Sequence, residues 1–310
     1  MNTKTKYLAA AGVALALNAV SAQAILFDPL GTGSVANAIN TDVFDWSPGN
    51  ALATNTVPIV SNNTFSLFSQ GTLGNFMNNN SVVTGTGLNT NYQYTYVTGF
   101  QEVATGGLGS ASFVGTPGLP NFFEIWYNPV AGTANNATGT GFNSGTMVLS
   151  GNITFSVGSY AGLLNGAAGV PLNQHGSSNY AGISTLTGAG GTQLDVSVNN
   201  LTLNPNFFLT KVSGVNFNTT NNTPFSQVDP SLCLVNAGGG TGNSNCALGS
   251  APGGGAVPNI GLINGISGPD FLFQADGANS FTVVPEPGTI ALLGLGLLGL
   301  GYSGTRRKSR

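Results

Sequence analysis

At Tyr92-Gln93-Tyr94-Thr95-Tyr96-Val97 the chain alternates aromatic with polar side chains. Successive side chains of a β-strand point to opposite faces of a sheet, so this pattern predicts a strand with three tyrosines on one face. The alternation returns at Leu194-Asp195-Val196-Ser197-Val198, with apolar side chains on one side and polar ones on the other. Both segments favour a half-buried sheet over a helix, whose apolar residues would recur every three to four positions.

Similar β-prone runs recur along the chain, separated by glycine, asparagine, proline and serine. We predict strands at Thr56–Val60, Thr64–Phe68, Tyr92–Val97, Phe122–Tyr127, Thr146–Val157, Leu194–Leu203, Phe207–Val212, Gly214–Phe217, Phe271–Phe273 and Phe281–Val284. Within the fifth run, Ser150-Gly151-Asn152 is either a hairpin turn or a bulge in one long strand. Between the runs we expect long Asn/Gly-rich loops at Asn75–Asn91, Ala131–Gly145, Ala161–Gly191 and Asn236–Gly268.

These patterns predict an all-β protein. About ten strands with no repeat of fixed period fit a single large β-sandwich or an open barrel-like domain better than a solenoid.

Charge is scarce and unevenly placed. Only 5% of the 310 residues are charged, and six of the seven Lys and Arg residues lie within the first six and the last five positions. Between Ile25 and Val284 a single basic residue, Lys211, stands against nine acidic ones. Nucleic-acid binding is therefore excluded, because neutralising phosphates needs clustered Lys and Arg. One histidine and two cysteines also exclude the usual Cys/His zinc site.

The N-terminus has the features of a secretory signal peptide. Lys4 and Lys6 precede an apolar run over residues 7–20, and Ser21-Ala22-Gln23-Ala24 supplies an A-x-A cleavage site. The apolar run is shorter than the roughly 20 residues of a membrane-spanning helix. We therefore predict that residues 1–24 direct export and are removed after Ala24.

The C-terminus combines three features in a fixed order. Val284-Pro285-Glu286-Pro287 forms an extended segment, residues 288–304 are uncharged and rich in Gly and Leu, and a basic tail follows at Arg306, Arg307, Lys308 and Arg310. Seventeen residues of helix span about 25 Å, a thin fit to a hydrocarbon core of about 30 Å. We predict a single transmembrane helix whose basic tail stays on the cytoplasmic side.

These three features together resemble the PEP-CTERM sorting signal of Gram-negative bacteria that make exopolysaccharide. In that family exosortase, a membrane enzyme similar to cysteine transpeptidases, processes the protein near the Pro-Glu-Pro motif. The resemblance implies that Pro285, Glu286 and Pro287 form the sorting motif and that exosortase is a partner. It also implies transient inner-membrane anchoring, followed by transfer to the cell surface or extracellular matrix.

The chain accordingly divides into a signal peptide (1–24), a β-rich extracellular body (25–284) and a PEP-CTERM sorting signal (285–310). The start of the body, at Phe27-Asp28-Pro29-Leu30-Gly31-Thr32-Gly33 and at Phe44-Asp45-Trp46-Ser47-Pro48-Gly49-Asn50-Ala51-Leu52-Ala53, resembles flocculation-associated members of the same family. That resemblance implies a role in cell aggregation, as flocs or biofilm, together with exopolysaccharide.

Aromatic side chains are the candidate saccharide contacts, because flat rings stack on pyranose faces. The candidates are Trp46, Trp126, Tyr92, Tyr94 and Tyr96, although a core face of the sheet explains the tyrosines equally well. We expect no cofactor and no resident metal, but the acidic body tolerates bridging by Ca²⁺, for which Asp42, Asp45 and Asp229 are available. Cys233 and Cys246 flank a Gly/Asn-rich loop, and the export context indicates a disulfide between them.

We expect no enzymatic activity. No G-x-S-x-G nucleophile motif is present, and His175 lies in a Gly/Ser/Asn-rich stretch with no motif around it. The alternative functions are a matrix glycan hydrolase or lyase and a self-assembling matrix fibre. Glu102, Glu124, Asp195 and Asp229 could supply the two acids of a hydrolase. Glu124 is the best acid candidate, because aromatic neighbours would raise its pKa, unless it is simply an outward charge on a half-buried strand.

Overall fold

The all-β class is confirmed. The computed structural model describes residues 23–56, 61–107, 109–136, 139–163, 169–172, 174, 182–196, 201–228, 260–266 and 268–284. Over these residues the chain forms eighteen strands and one short 3₁₀ turn at Val35–Asn37.

The strands, in chain order, are β1 (Ile25–Phe27), β2 (Ile39–Thr41), β3 (Val43–Trp46), β4 (Gly49–Thr54), β5 (Thr64–Asn78), β6 (Ser81–Val82), β7 (Gln93–Gly107), β8 (Ser110–Gly115), β9 (Phe122–Asn128), β10 (Thr146–Gly151), β11 (Ile153–Gly162), β12 (Val170–Pro171), β13 (Ser184–Thr185), β14 (Gly188–Val196), β15 (Thr202–Leu203), β16 (Val212–Thr223), β17 (Ile263–Asn264) and β18 (Phe271–Val283).

Antiparallel pairing closes the main sheet on itself. From β5 the order runs through β7, β8, β11, β14 and β16 to β18. β3 and β4 complete the ring, because each pairs with both β18 and β5. The first half of β7 pairs instead with β9, which continues to β10 and β15 as a side arm. The strand order therefore matches the barrel-like alternative of the prediction, except that the observed ring of strands is closed whereas the predicted barrel was open.

Aromatic rings fill the inside of this ring. The ring of Tyr96 lies 4.9 Å from Trp46 and 5.0 Å from Phe217, centroid to centroid, in the tilted or edge-on arrangements that aromatic pairs prefer. The polar atoms of these rings are satisfied: Trp46 Nε1 donates to Asn279 Oδ1 (2.7 Å), and Tyr96 Oη is hydrogen-bonded to Ser69 Oγ (2.8 Å). The interior is therefore a packed core.

A second, smaller core lies on the outer face of β4, β5 and β18. Leu52 and Phe68 project outward from this face and are buried by Leu172, Phe225 and Ile260, which come from the segments around the small sheet β12–β13–β17. Every residue of β4 is consequently buried, so alternation of burial is lost there.

Both ends of the described chain meet at one edge. The N–H of Val284 donates to the carbonyl of Lys211 (3.1 Å), and the N–H groups of Leu209 and Thr210 donate to the carbonyl of Leu26. The first strand begins at Ile25 and the last ends at Val283.

Several predicted strands differ from the observed ones. Thr146–Val157 is neither a hairpin nor a bulged single strand: β10 pairs with β9 and β15, whereas β11 pairs with β8 and β14. Phe207–Val212 is not a strand, since Phe208 makes only an isolated bridge to Phe27. The predicted loop Ala161–Gly191 contains β12, β13 and the first residues of β14. Residues 57–60 of the first predicted strand lie outside the described residues.

We predict that Gly71→Ala destabilises the fold. A Cβ at Gly71 would lie 2.6 Å from Cε1 of Tyr96, whose ring is held between Trp46 and Phe217. The free energy of unfolding should fall by about 1–3 kcal/mol, as for other overpacked cores. Urea unfolding of the full chain in detergent, followed by tryptophan fluorescence, measures this loss.

Gly214→Ala in β16 is the matched control. Its Cβ would meet its nearest atom, the carbonyl oxygen of Val196, at 3.6 Å, which is ordinary contact. Equal losses of stability in the two variants would contradict the inference that the Tyr96 ring packs too closely against Gly71 to admit a Cβ.

Candidate functional site

Several predicted site residues lie outside the described residues. They are the sorting motif (Pro285, Glu286, Pro287), the basic tail (Arg306, Arg307, Lys308, Arg310), the predicted disulfide (Cys233, Cys246), His175 and Asp229. The signal sequence over residues 1–22 and the predicted span 288–304 lie outside them as well. Within the described part of the chain, no helix is long and apolar enough to cross a membrane.

Four of the five candidate saccharide contacts belong to the interior. Trp46 and Tyr92 are 1% exposed, and Tyr94 and Tyr96 are fully buried, so a saccharide at the surface cannot reach their rings. Burial raises the pKa of all three tyrosine hydroxyls, and Tyr94 Oη donates to the carbonyl of Pro29 (2.9 Å). The core-face alternative for the tyrosines describes them correctly, and Trp46 shares that core.

Trp126, the fifth candidate, is half-buried on the outer face of β9. Its Nε1 donates to Glu124 Oε2 (3.0 Å), and Phe142 from the loop over residues 129–145 packs against the same patch. Glu124 itself is only 6% exposed. The acid candidate is therefore an outward-facing but covered carboxylate that holds the Trp126 indole, rather than a solvated charge.

An open cleft lies between the end of β8, the loop over residues 116–121 and the start of β11. Its volume is about 370 Å³. Apolar walls come from Pro117, Pro120 and Phe155, and polar groups from Thr116, Asn121 and Ser156. The size and the mixture of apolar walls with a few polar groups are those of small-molecule sites.

A buried carboxyl group lies behind the floor of this cleft. Glu102 in β7 is 0% exposed, and Ser156 Oγ donates to its Oε1 (3.0 Å). Its other oxygen, Oε2, has no hydrogen-bond partner, and neither has the buried hydroxyl of Thr116 in the cleft wall. Burial raises the pKa of Glu102 to about 7, although the Ser156 hydrogen bond opposes the rise.

The alternation along β7 also predicts that Glu102 is buried, whereas the aromatic neighbours of Glu124 favoured Glu124 as the acid. Counting in twos from Tyr96 along the same strand reaches Glu102, so the tyrosine face that enters the core carries this carboxyl with it. Ser156 gives no such signal, because a register shift between Ile153 and Phe155 turns it inward.

Asp42 and Asp45, which were considered for calcium, are not part of a metal-binding cluster of described residues, and Asp229 lies outside the described residues. Within the described ranges, no group of three or more His, Cys, Asp and Glu side chains is placed to hold a metal ion. Asp45 Oδ2 accepts from Asn75 Nδ2 (3.1 Å), and Asp42 Oδ2 accepts from the N–H of Asn79 (2.8 Å).

Comparison with known proteins identifies the C-terminal segment. Residues 283–308 match the family model of the PEP-CTERM protein-sorting motif. Neither the curated proteins nor the solved structures contain a match to the chain. The sorting resemblance is thus confirmed: the chain carries an exosortase substrate motif, which marks it for export and for sorting at the membrane through its C-terminal region.

We predict that Glu102→Gln changes how stability depends on pH. The folded protein holds the Glu102 proton up to a pKa of about 7, against an ordinary value of 4.5. Wild-type stability should therefore fall as pH rises through this window, by up to about 3 kcal/mol, because ionisation is opposed only in the folded state. The glutamine variant should lack this part of the decline, as measured by urea unfolding from about pH 4 to about pH 9.

Ser156→Ala provides the companion measurement. Loss of its hydrogen bond should raise the pKa of Glu102 further, so the decline should begin at the same pH and extend to higher pH. Parallel stability curves for wild type and Glu102→Gln would show that Glu102 is not held protonated in the folded protein.

Proposed function

We propose that this PEP-CTERM protein is a non-enzymatic surface or matrix protein that promotes cell aggregation, as flocs or biofilm, by associating with exopolysaccharide. The observation that carries the proposal is the sorting motif at residues 283–308, which begins where the last strand of the folded body ends. Processing near Pro285 would release the body at the outer side of the membrane with every strand intact. The resemblance of residues 27–33 and 44–53 to flocculation-associated members of the family supports the aggregation role.

The outer face of β16 supports an association with sugars. Asn216, Asn218 and Thr220 project outward in a row, beside Gln193 and Asp195 of β14. Asn216 Nδ2 donates to Asp195 Oδ1 (2.6 Å), and Asn218 Nδ2 donates to Asn216 Oδ1 (2.5 Å). Amides, hydroxyls and a carboxylate supply both donors and acceptors, which many weak hydrogen bonds to sugar hydroxyls require.

The net negative charge of the body determines when association with a polysaccharide would need divalent ions. With nine acidic residues against Lys211, the body would repel an acidic polysaccharide unless Ca²⁺ or Mg²⁺ bridged the two. We therefore expect aggregation through an acidic polysaccharide to need a divalent ion, whereas association with neutral sugars would not.

We predict that a strain lacking this chain settles more slowly and that only a sortable form restores aggregation. Full-length protein should rescue settling. A chain ending at residue 284 should not, and neither should full-length protein with Pro285, Glu286 and Pro287 all changed to alanine. The alanine form keeps the apolar segment and the basic tail, so it separates the sorting motif from membrane attachment.

A matched control carries three alanine substitutions at the exposed Val130, Leu163 and Leu262, none of which lines the cleft. It should rescue as the wild type does. Unchanged settling in the deletion strain would contradict the aggregation role, and equal rescue by the chain ending at residue 284 would contradict its dependence on sorting.

A further inference from the structure

We propose that the cleft between β8, the loop over residues 116–121 and β11 is a binding subsite for a neutral saccharide. The inference rests on the proposed function for the source of the ligand, but it is argued from the cleft alone.

The cleft is large enough to hold a sugar ring. Two cavities inside the closed sheet have volumes of about 30 and about 10 Å³, which admit water at most. The cleft has a volume of about 370 Å³, within the range of sites that hold small molecules. It is open to solvent and bounded by Pro117 and Pro120, whose fixed φ angles limit collapse of the wall.

One hydroxyl group in the cleft wall lacks a hydrogen-bond partner. The buried hydroxyl of Thr116 lines the cleft without a hydrogen-bond partner, which is uncommon in folded proteins. A sugar hydroxyl both donates and accepts, and can therefore pair with Thr116 when that side chain turns toward the cleft.

An aromatic side chain also lines the cleft. Phe155 lines the cleft and is 46% exposed, although it lies within a strand. The face of an aromatic ring suits the apolar C–H face of a pyranose, and stacking there leaves the sugar hydroxyls free for the polar side of the cleft. An exposed ring beside the unpaired hydroxyl group of Thr116 is an arrangement suited to a carbohydrate.

The absence of basic residues from the cleft lining favours neutral sugars. Lys211 is the single basic residue between Ile25 and Val284, and it lies at the edge where Val284 leaves the sheet, outside the cleft lining. Glu102 stands behind the cleft floor. A uronate or sulfated sugar would therefore find no cation among the residues that line the cleft.

The experiment uses full-length protein in detergent and the cell's own exopolysaccharide, partly hydrolysed and separated into neutral and acidic oligosaccharides. Calorimetric titration without calcium measures binding of each fraction. The neutral fraction should bind to the wild type, and Phe155→Ala and Thr116→Val should each weaken that binding about tenfold or more. Thr105→Val, an exposed strand threonine away from the cleft, is the matched control and should bind as the wild type does.

The outcomes are separable. Unchanged binding by both cleft variants, with wild-type melting temperatures, would overturn the location of the site. Preference for the acidic fraction would overturn the specificity. Absence of wild-type binding to both fractions would overturn the subsite while leaving the aggregation role to the settling assay. Release of new reducing ends, lost in Glu102→Gln, would replace a binding subsite by an enzyme.

Discussion

The structure depends on aromatic rings resting directly on glycine backbone inside a closed sheet. A Cβ at Gly71 would come within 3.0 Å of the Tyr96 ring, and one at Gly277 would do the same to the ring of Phe217. Tyr96 and Phe217 in turn pack against each other across the interior. Strands this close can enclose rings this large only where some positions lack a side chain, which accounts for glycine within strands where it is otherwise unfavourable.

Closure also determines how the body relates to its sorting signal. β18 is the last strand in the described part of the chain, yet it lies between β16 on one side and β3 and β4 on the other. The ring is therefore complete only when residues up to Val283 are in place. The matched sorting motif starts at residue 283, which is also the last residue of β18.

The sequence predicts the class of this fold better than its details. Strict alternation at Tyr92–Val97 correctly indicates a strand and a buried tyrosine face. Gly188-Ala189-Gly190-Gly191 reads as a loop, but it is a strand because β11 and β16 supply partners on both sides. Strand formation there depends on neighbours that are distant in sequence, which local propensity does not record. The cleft was invisible for the same reason, since its lining comes from three separate segments.

The cleft itself originates in one local conflict between pattern and structure. Ile153, Phe155 and Val157 alternate as if all three belonged to the core, but the register shift after Ile153 reverses the faces. Phe155 and Val157 are left exposed, and Ser156 turns inward to Glu102. Exposing Phe155 and Val157 is unfavourable for the stability of the fold, and so is burying the Ser156 hydroxyl beside a carboxyl group. Bulges often redirect side chains beside functional sites, and the proposed saccharide subsite would account for this one.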